Sequence, residues 1–125
     1  MSEVYLFQLA SQRTQWLNAR QSIIASNVAN ANTPGFRAQD LAPFSSILDN
    51  TAASMSVTNS LHIEPATSEL NAFQANAEDG ADTTLSGNSV NLESEMIKIG
   101  DISRDASAAN AIKKTFHQMM LAALK

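Results

Sequence analysis

A chain of 125 residues is enough for one modest domain, and with no cysteine and 6% aromatic residues it excludes a disulfide framework, a thiolate zinc site and an aromatic-rich core. The net charge of −4 is segregated: residues 1–37 carry Arg13, Arg20 and Arg37 against Glu3, residues 38–97 carry nine acids and no lysine or arginine, and residues 98–125 carry Lys98, Arg104, Lys113, Lys114 and Lys125 against Asp101 and Asp105. Basic ends around an acidic middle do not form the concentrated basic face of a nucleic-acid binder, though they serve solubility and permit attraction between copies of the chain.

From Val4 to Ala31 apolar residues recur at helical spacing. Ala10, Leu17, Ile24 and Ala31 stand seven apart, with Leu9, Trp16 and Ile23 as a second stripe beside them, which predicts an amphipathic helix on the order of 40 Å long. Leu17, Ile24 and Val28 are assigned to helix packing, and Trp16 is read as core. Arg13 and Arg20, also seven apart, share another face and are expected to be solvated or to pair with a neighbour's acids.

The helix runs into Ser26-Asn27-Val28-Ala29-Asn30-Ala31-Asn32-Thr33-Pro34-Gly35-Phe36-Arg37. Asparagine competes with helical hydrogen bonding and tolerates left-handed backbone, so Asn27, Asn30 and Asn32 belong near a helix end. Pro34 drives Thr33 out of the α region, and Gly35 accepts a positive φ; together they predict a type II turn, followed by the ring of Phe36.

Beyond the turn, Phe44, Ile47 and Leu48 fit one face of a short helix starting near Pro43. Residues 49–89 lose periodicity and are read as loop-rich, with one short strand at Leu61-His62-Ile63 and turn chemistry at Glu78-Asp79-Gly80 and Ser86-Gly87-Asn88. Val90-Asn91-Leu92 leads into a second long helix, with Asn91 as N-cap and Glu93 and Glu95 complementing the helix dipole. Leu92, Met96, Ile99, Ala106, Ala109, Phe116, Met120 and Ala123 keep 3–4 spacing, and Ile102, Ile112, Met119 and Leu124 widen the stripe. Gly100 costs that helix roughly 1 kcal/mol relative to alanine and allows a local bend.

The expected fold is mainly α: two long terminal amphipathic helices pairing as a coiled coil or helical bundle, with little β in a loop-rich middle. Residues 1–36 form the N-terminal helix and turn, 37–89 the acidic middle and 90–125 the C-terminal helix, the two helices making one domain. Each apolar stripe is wider than a two-helix seam requires. That surplus marks a subunit that buries its flanks against other chains.

The residues do not assemble a catalytic or metal-binding set. His62 and His117 stand alone, Glu78-Asp79-Gly80-Ala81-Asp82 lacks the alternating spacing and distal glutamate of a calcium loop, and no phosphate loop or nucleophile motif is present. No enzymatic activity, cofactor or metal is expected. The N-terminus lacks the zones of a cleaved secretory signal, and the longest apolar run, Met119 to Leu124, is too short to insert in a bilayer.

The stretch Asn27, Ala29, Asn30, Asn32, Thr33, Pro34, Gly35, Phe36 and Arg37 resembles the N-terminal signature of bacterial flagellar rod, hook and related axial proteins, in which a long helix ends in an Asn-aliphatic-Ala-Asn-x-x-Thr-x-Gly-aromatic-basic run. A second stretch, containing Gly87, Asn88, Val90, Leu92, Glu95 and Met96, and the short length resemble a proximal rod protein, whereas Gln118-Met119-Met120-Leu121 resembles the C-terminal end of FlgC. The resemblance covers about 1–48 and 85–125. It implies a structural subunit of the basal-body rod, exported by the flagellar type III apparatus without a cleaved signal. Such a subunit assembles helically with copies of itself, FliE, FlgC and other rod proteins near the MS ring, and transmits motor torque across the periplasm. Ile99, Phe116 and Met120 complete the helix-packing positions. A helical adaptor or export chaperone is the alternative of a different class.

Overall fold

A computed structural model describes residues 2–52, 73–78, 80 and 82–124. Chain order gives helix α1 (Ser2–Ala29), strand β1 (Gln39–Leu41), helix α2 (Phe44–Ala52), strand β2 (Ala75–Ala77) and helix α3 (Leu92–Ala123). The protein is mainly helical, with the two long helices packed against each other. They run antiparallel: Asn27 of α1 meets Glu95 near the start of α3, while Phe7 meets Phe116 near its end. The expected strand at Leu61-His62-Ile63 lies outside the described residues.

The start and end of each helix follow from local chemistry. At the close of α1 the Asn30 side-chain amide donates to Ser26 O at 2.8 Å, beside the backbone bond from Asn30 N to the same carbonyl at 3.0 Å. This competition for the last carbonyls ends the regular helix at Ala29, two residues before the expected Ala31. Bonds from Ala31 N to Val28 O and from Thr33 N to Asn30 O then tighten the exit into three-residue turns. At the start of α3, Asn91 is extended and its side chain accepts from Ser94 N at 3.1 Å, the N-cap read from sequence. Helix α3 continues through Gly100 to Ala123.

The strands pair antiparallel, Gln39 with Ala77, Asp40 with Asn76 and Leu41 with Ala75, and Glu78 N donates to Ala38 O just beyond the pair. A two-stranded pair this short is marginal by itself. It is held by what lies beneath it. Trp16, Leu17 and Ile24 of α1, Leu41 of β1, Phe44 of α2 and Ile102 of α3 form the buried core, with Ile47, Leu48 and Phe73 packed around it. The Trp16 indole also donates to Ala42 O at 3.0 Å and its ring lies 6.0 Å from that of Phe44, so α2 and the end of β1 are fixed to α1 together.

Candidate functional site

The two sequence stretches singled out above meet at the end of the helix pair. Phe36 N donates to Thr33 O and Gly35 takes φ +73°, the bond and the positive φ of a type II turn. A second turn faces it: Gly87 N donates to Thr84 O, Thr84 N donates to Asn88 O, and Gly87 takes φ +80°. Gly35 N donates to Ser86 O and Ser89 N donates to Phe36 O. A Cβ on Gly87 would lie 3.5 Å from Gly35 Cα, ordinary van der Waals contact, so the two turns touch and it is their positive φ that favours glycine. Buried Asn88 closes the join, its amide donating to both Asn30 O and Thr33 O at 2.8 Å while its oxygen accepts from Val90 N at 2.7 Å. The Ser89 hydroxyl accepts from Ala38 N at 2.8 Å.

One layer inward lies a polar cluster. The Asn27 amide donates to Gln39 O at 2.8 Å and to Glu95 Oε2 at 2.9 Å, and its oxygen accepts from Gln39 N at 3.1 Å. Asn27 thus satisfies one residue of β1 as a neighbouring strand would, and it binds α3 at the same time. Asn27 and Glu95 are each 1% exposed, and a buried carboxylate needs such partners. Lys98 supplies another: its ammonium is 3.0 Å from Glu95, 3.6 Å from Asp40 and paired with Glu78. Arg20 grips Asp40 with two bonds of 2.8 Å. Cations from both helices therefore neutralise acids on the strand pair.

The titration of these groups follows from the pairing. Burial by itself pushes the Asp40 carboxyl up, but bonds from Arg20 and from Leu41 N, with the charges of Arg20 and Lys98, outweigh it and hold the group below the usual carboxylate range. Burial pulls Lys98 down, and its bonds to Glu78 and Glu95 more than reverse this, leaving it above the ordinary lysine value. The bond to Asp40, opposed by burial, raises Arg20 as well.

Several sequence-read positions land differently from expectation. Arg13 and Arg20 pair with acids of their own chain: Arg13 with Asp105 at 2.7 Å and Arg20 with Asp40. Both guanidinium groups lie 5.4 Å from the Trp16 ring centroid, and stacking on its π-face anchors them there. Glu95, read as a dipole partner, is a buried hydrogen-bonded carboxylate. Of the helix-packing set, Leu17 and Ile24 are core, Phe116 meets Phe7 edge-on at 5.2 Å, and Met120 is half-buried. Val28 and Ile99 lie at the surface, and Ile102 takes the buried position on α3.

Among the motif residues, Ala29, Asn32, Thr33, Pro34 and Arg37 are exposed, as are Leu92 and Met96, while Phe36 and Val90 are half-buried. Sequence reasoning missed Arg20, Asp40, Ser89 and Lys98 as members of the junction. One signal was available: Arg13, Arg20 and Asn27 stand seven apart, a polar stripe directly beside the apolar one.

Helix α3 keeps apolar flanks outside the seam. Leu92, Met96 and Ile99, spaced along one flank, are exposed, Met96 by 71%, and Ile112 and Met119 are exposed further along. No helix among the described residues is long and apolar enough to cross a membrane.

The sequence is similar to known proteins. Residues 8–37 match the family described as flagella basal body rod protein. The chain is 40% identical over 129 residues to the flagellar basal body rod protein FlgB of Agrobacterium fabrum (strain C58), covering 100% of this chain and 96% of that protein. It is 33% identical over 91 residues to FlgB of Yersinia enterocolitica, covering 66% of each. Both relatives are FlgB rather than FlgC, and the first matches through the whole chain, including the C-terminal stretch that left the two open. The chain belongs to the FlgB family of flagellar basal body rod proteins.

Proposed function

We propose that this chain is a structural subunit of the proximal rod, assembling helically with copies of itself and transmitting motor torque for motility. The observation that carries the reading is the apolar surface on α3, where Leu92, Met96, Ile99, Ile112 and Met119 remain exposed although each helix already has a partner. Large exposed apolar surface marks a site of association. The proposed neighbours are FliE, FlgC and other rod proteins near the MS ring. Export proceeds through the flagellar type III apparatus without a cleaved signal, and the assembled location is the periplasm-spanning rod. In this reading residues 1–36 and 90–125 are the axial part and 37–89 the part carried on it. The two motif stretches set the angle at which one hands over to the other. The subunit acts by geometry, with no chemical step.

Changing Leu92, Met96 and Ile99 together to glutamine tests this. Cells relying on the variant are expected to make the protein at the normal level but to lose rods and swimming, while the helical circular dichroism of the purified chain stays unchanged. Normal rods and swimming would overturn the reading. A helical adaptor or export chaperone would instead leave the chain absent from purified basal bodies.

A further inference from the structure

The apolar seam alone does not define how far α1 slides along α3. Ala10, Leu17 and Ile24 repeat every seven residues, and so do Ile102, Ala109, Phe116 and Ala123, so a displacement by one heptad sets apolar residues against apolar residues again. The charged residues discriminate only in part. Arg20 lies seven residues from Arg13 and from Asn27, and Asp105 lies seven from Lys98. One slip therefore brings Arg20 to the place of Asn27 beside Glu95, and the other brings it to the place of Arg13 beside Asp105. In the first, Arg13 takes the place near Lys98 that Arg20 holds in the observed register, so charge alone does not reject it.

Asn27 has no substitute in either direction. One slip faces its buried amide with Ile102, and the other carries it past the start of α3 at Leu92. In both it loses Glu95, and a carboxamide buried without partners is strongly disfavoured.

We propose that the buried Asn27–Glu95 pair is the register lock of the helix pair, a positioning device that selects one axial alignment of α1 on α3. The same amide reads both backbone groups of Gln39, so the lock also ties the strand pair to that alignment. Buried polar pairs contribute little net stability compared with apolar replacements, and their best-attested use is this choice of register. Fixing the register fixes which exposed residues of the two helices stand side by side, and so the surface a neighbour meets.

The absence of native cysteine allows a direct test in the full-length purified chain. Phe7→Cys with Phe116→Cys reports the observed register, in which these rings are 5.2 Å apart. Phe7→Cys with Ala109→Cys, or with Ala123→Cys, reports a slip of one heptad, about 10 Å along the axis. Under mild oxidation the native pair is expected to cross-link at least about tenfold faster than either displaced pair. Asn27→Asp, which sets a carboxylate against Glu95 and leaves the apolar seam intact, is expected to bring the rates within about threefold. Adding Glu95→Gln, whose new amide donates to the new carboxylate, is expected to restore the native preference. Comparable cross-linking of native and displaced pairs in the parent chain would overturn the proposal. So would an unchanged preference in Asn27→Asp, or failure of Glu95→Gln to rescue it.

Discussion

The two halves of the helix pair differ sharply. Near the strand pair the protein is closed on itself: Trp16, Leu17, Ile24, Leu41, Phe44 and Ile102 are buried, and the polar groups among them are paired. Toward the N-terminus of α1 and the C-terminus of α3 the same two helices continue without a buried residue among the described positions, held by contacts such as the edge-on pair of Phe7 and Phe116. The difference is one of covering layers. The closed half has β1 and α2 laid over α1, whereas among the described residues the open half has one helix against another, and two helices cannot surround apolar residues spread around both. Stability of the isolated chain is therefore expected to reside in the closed half, and in the proposed assembly the open half gains its burial from neighbours.

The largest test of this contrast is a pair of truncations. Ile24→Ala empties a fully buried site and is expected to cost about 3 kcal/mol in urea unfolding of the isolated chain. Phe116→Ala, in the open half, is expected to cost less than about 1 kcal/mol there while impairing rod assembly. Equal costs would break the distinction.

Acid and alkali test the closed half next. The folded Asp40 carboxyl titrates below its unfolded value of about 3.9, so its contribution is fully present above that value and disappears as pH falls through the lower, folded one. The Lys98 ammonium is shifted the other way. Its contribution is present below the unfolded lysine value of about 10.4 and is lost as pH rises through the higher folded value. Urea midpoints should thus form a plateau between these limits, and Asp40→Asn should lower the plateau while flattening its acid edge. An unaltered acid edge in that variant would remove Asp40 from the account.

The smallest expected effect lies in the turn. Gly35→Ala adds a Cβ with nothing within 4 Å, so its cost is conformational, about 1 kcal/mol for a φ of +73°. A cost near zero would show that the turn relaxes without disturbing its contact with residues 86–89.

Sequence alone determined the elements governed by local forces. The heptad stripes of 4–31 and 92–123 set two helices, Asn91 set a cap, and Pro34-Gly35 set a turn, because spacing, capping and φ preference act over a few residues. The motif stretches themselves pointed to the flagellar rod family. What only the tertiary structure decided was pairing across long separations. That Asn27 finds Glu95, that Arg20 and Lys98 converge on Asp40, and that Gly35 seats against Gly87 depend on bringing residues 20–68 positions apart together. Periodicity carries no information on those distances. It also could not divide the apolar stripe, leaving Val28 and Ile99 outside and Ile102 within, because which arc of a helix is buried depends on what lies over it. The heptads specify that these helices pair; the observed alignment is the one in which the buried Asn27 amide meets Glu95 and Asn88 meets the carbonyls of Asn30 and Thr33.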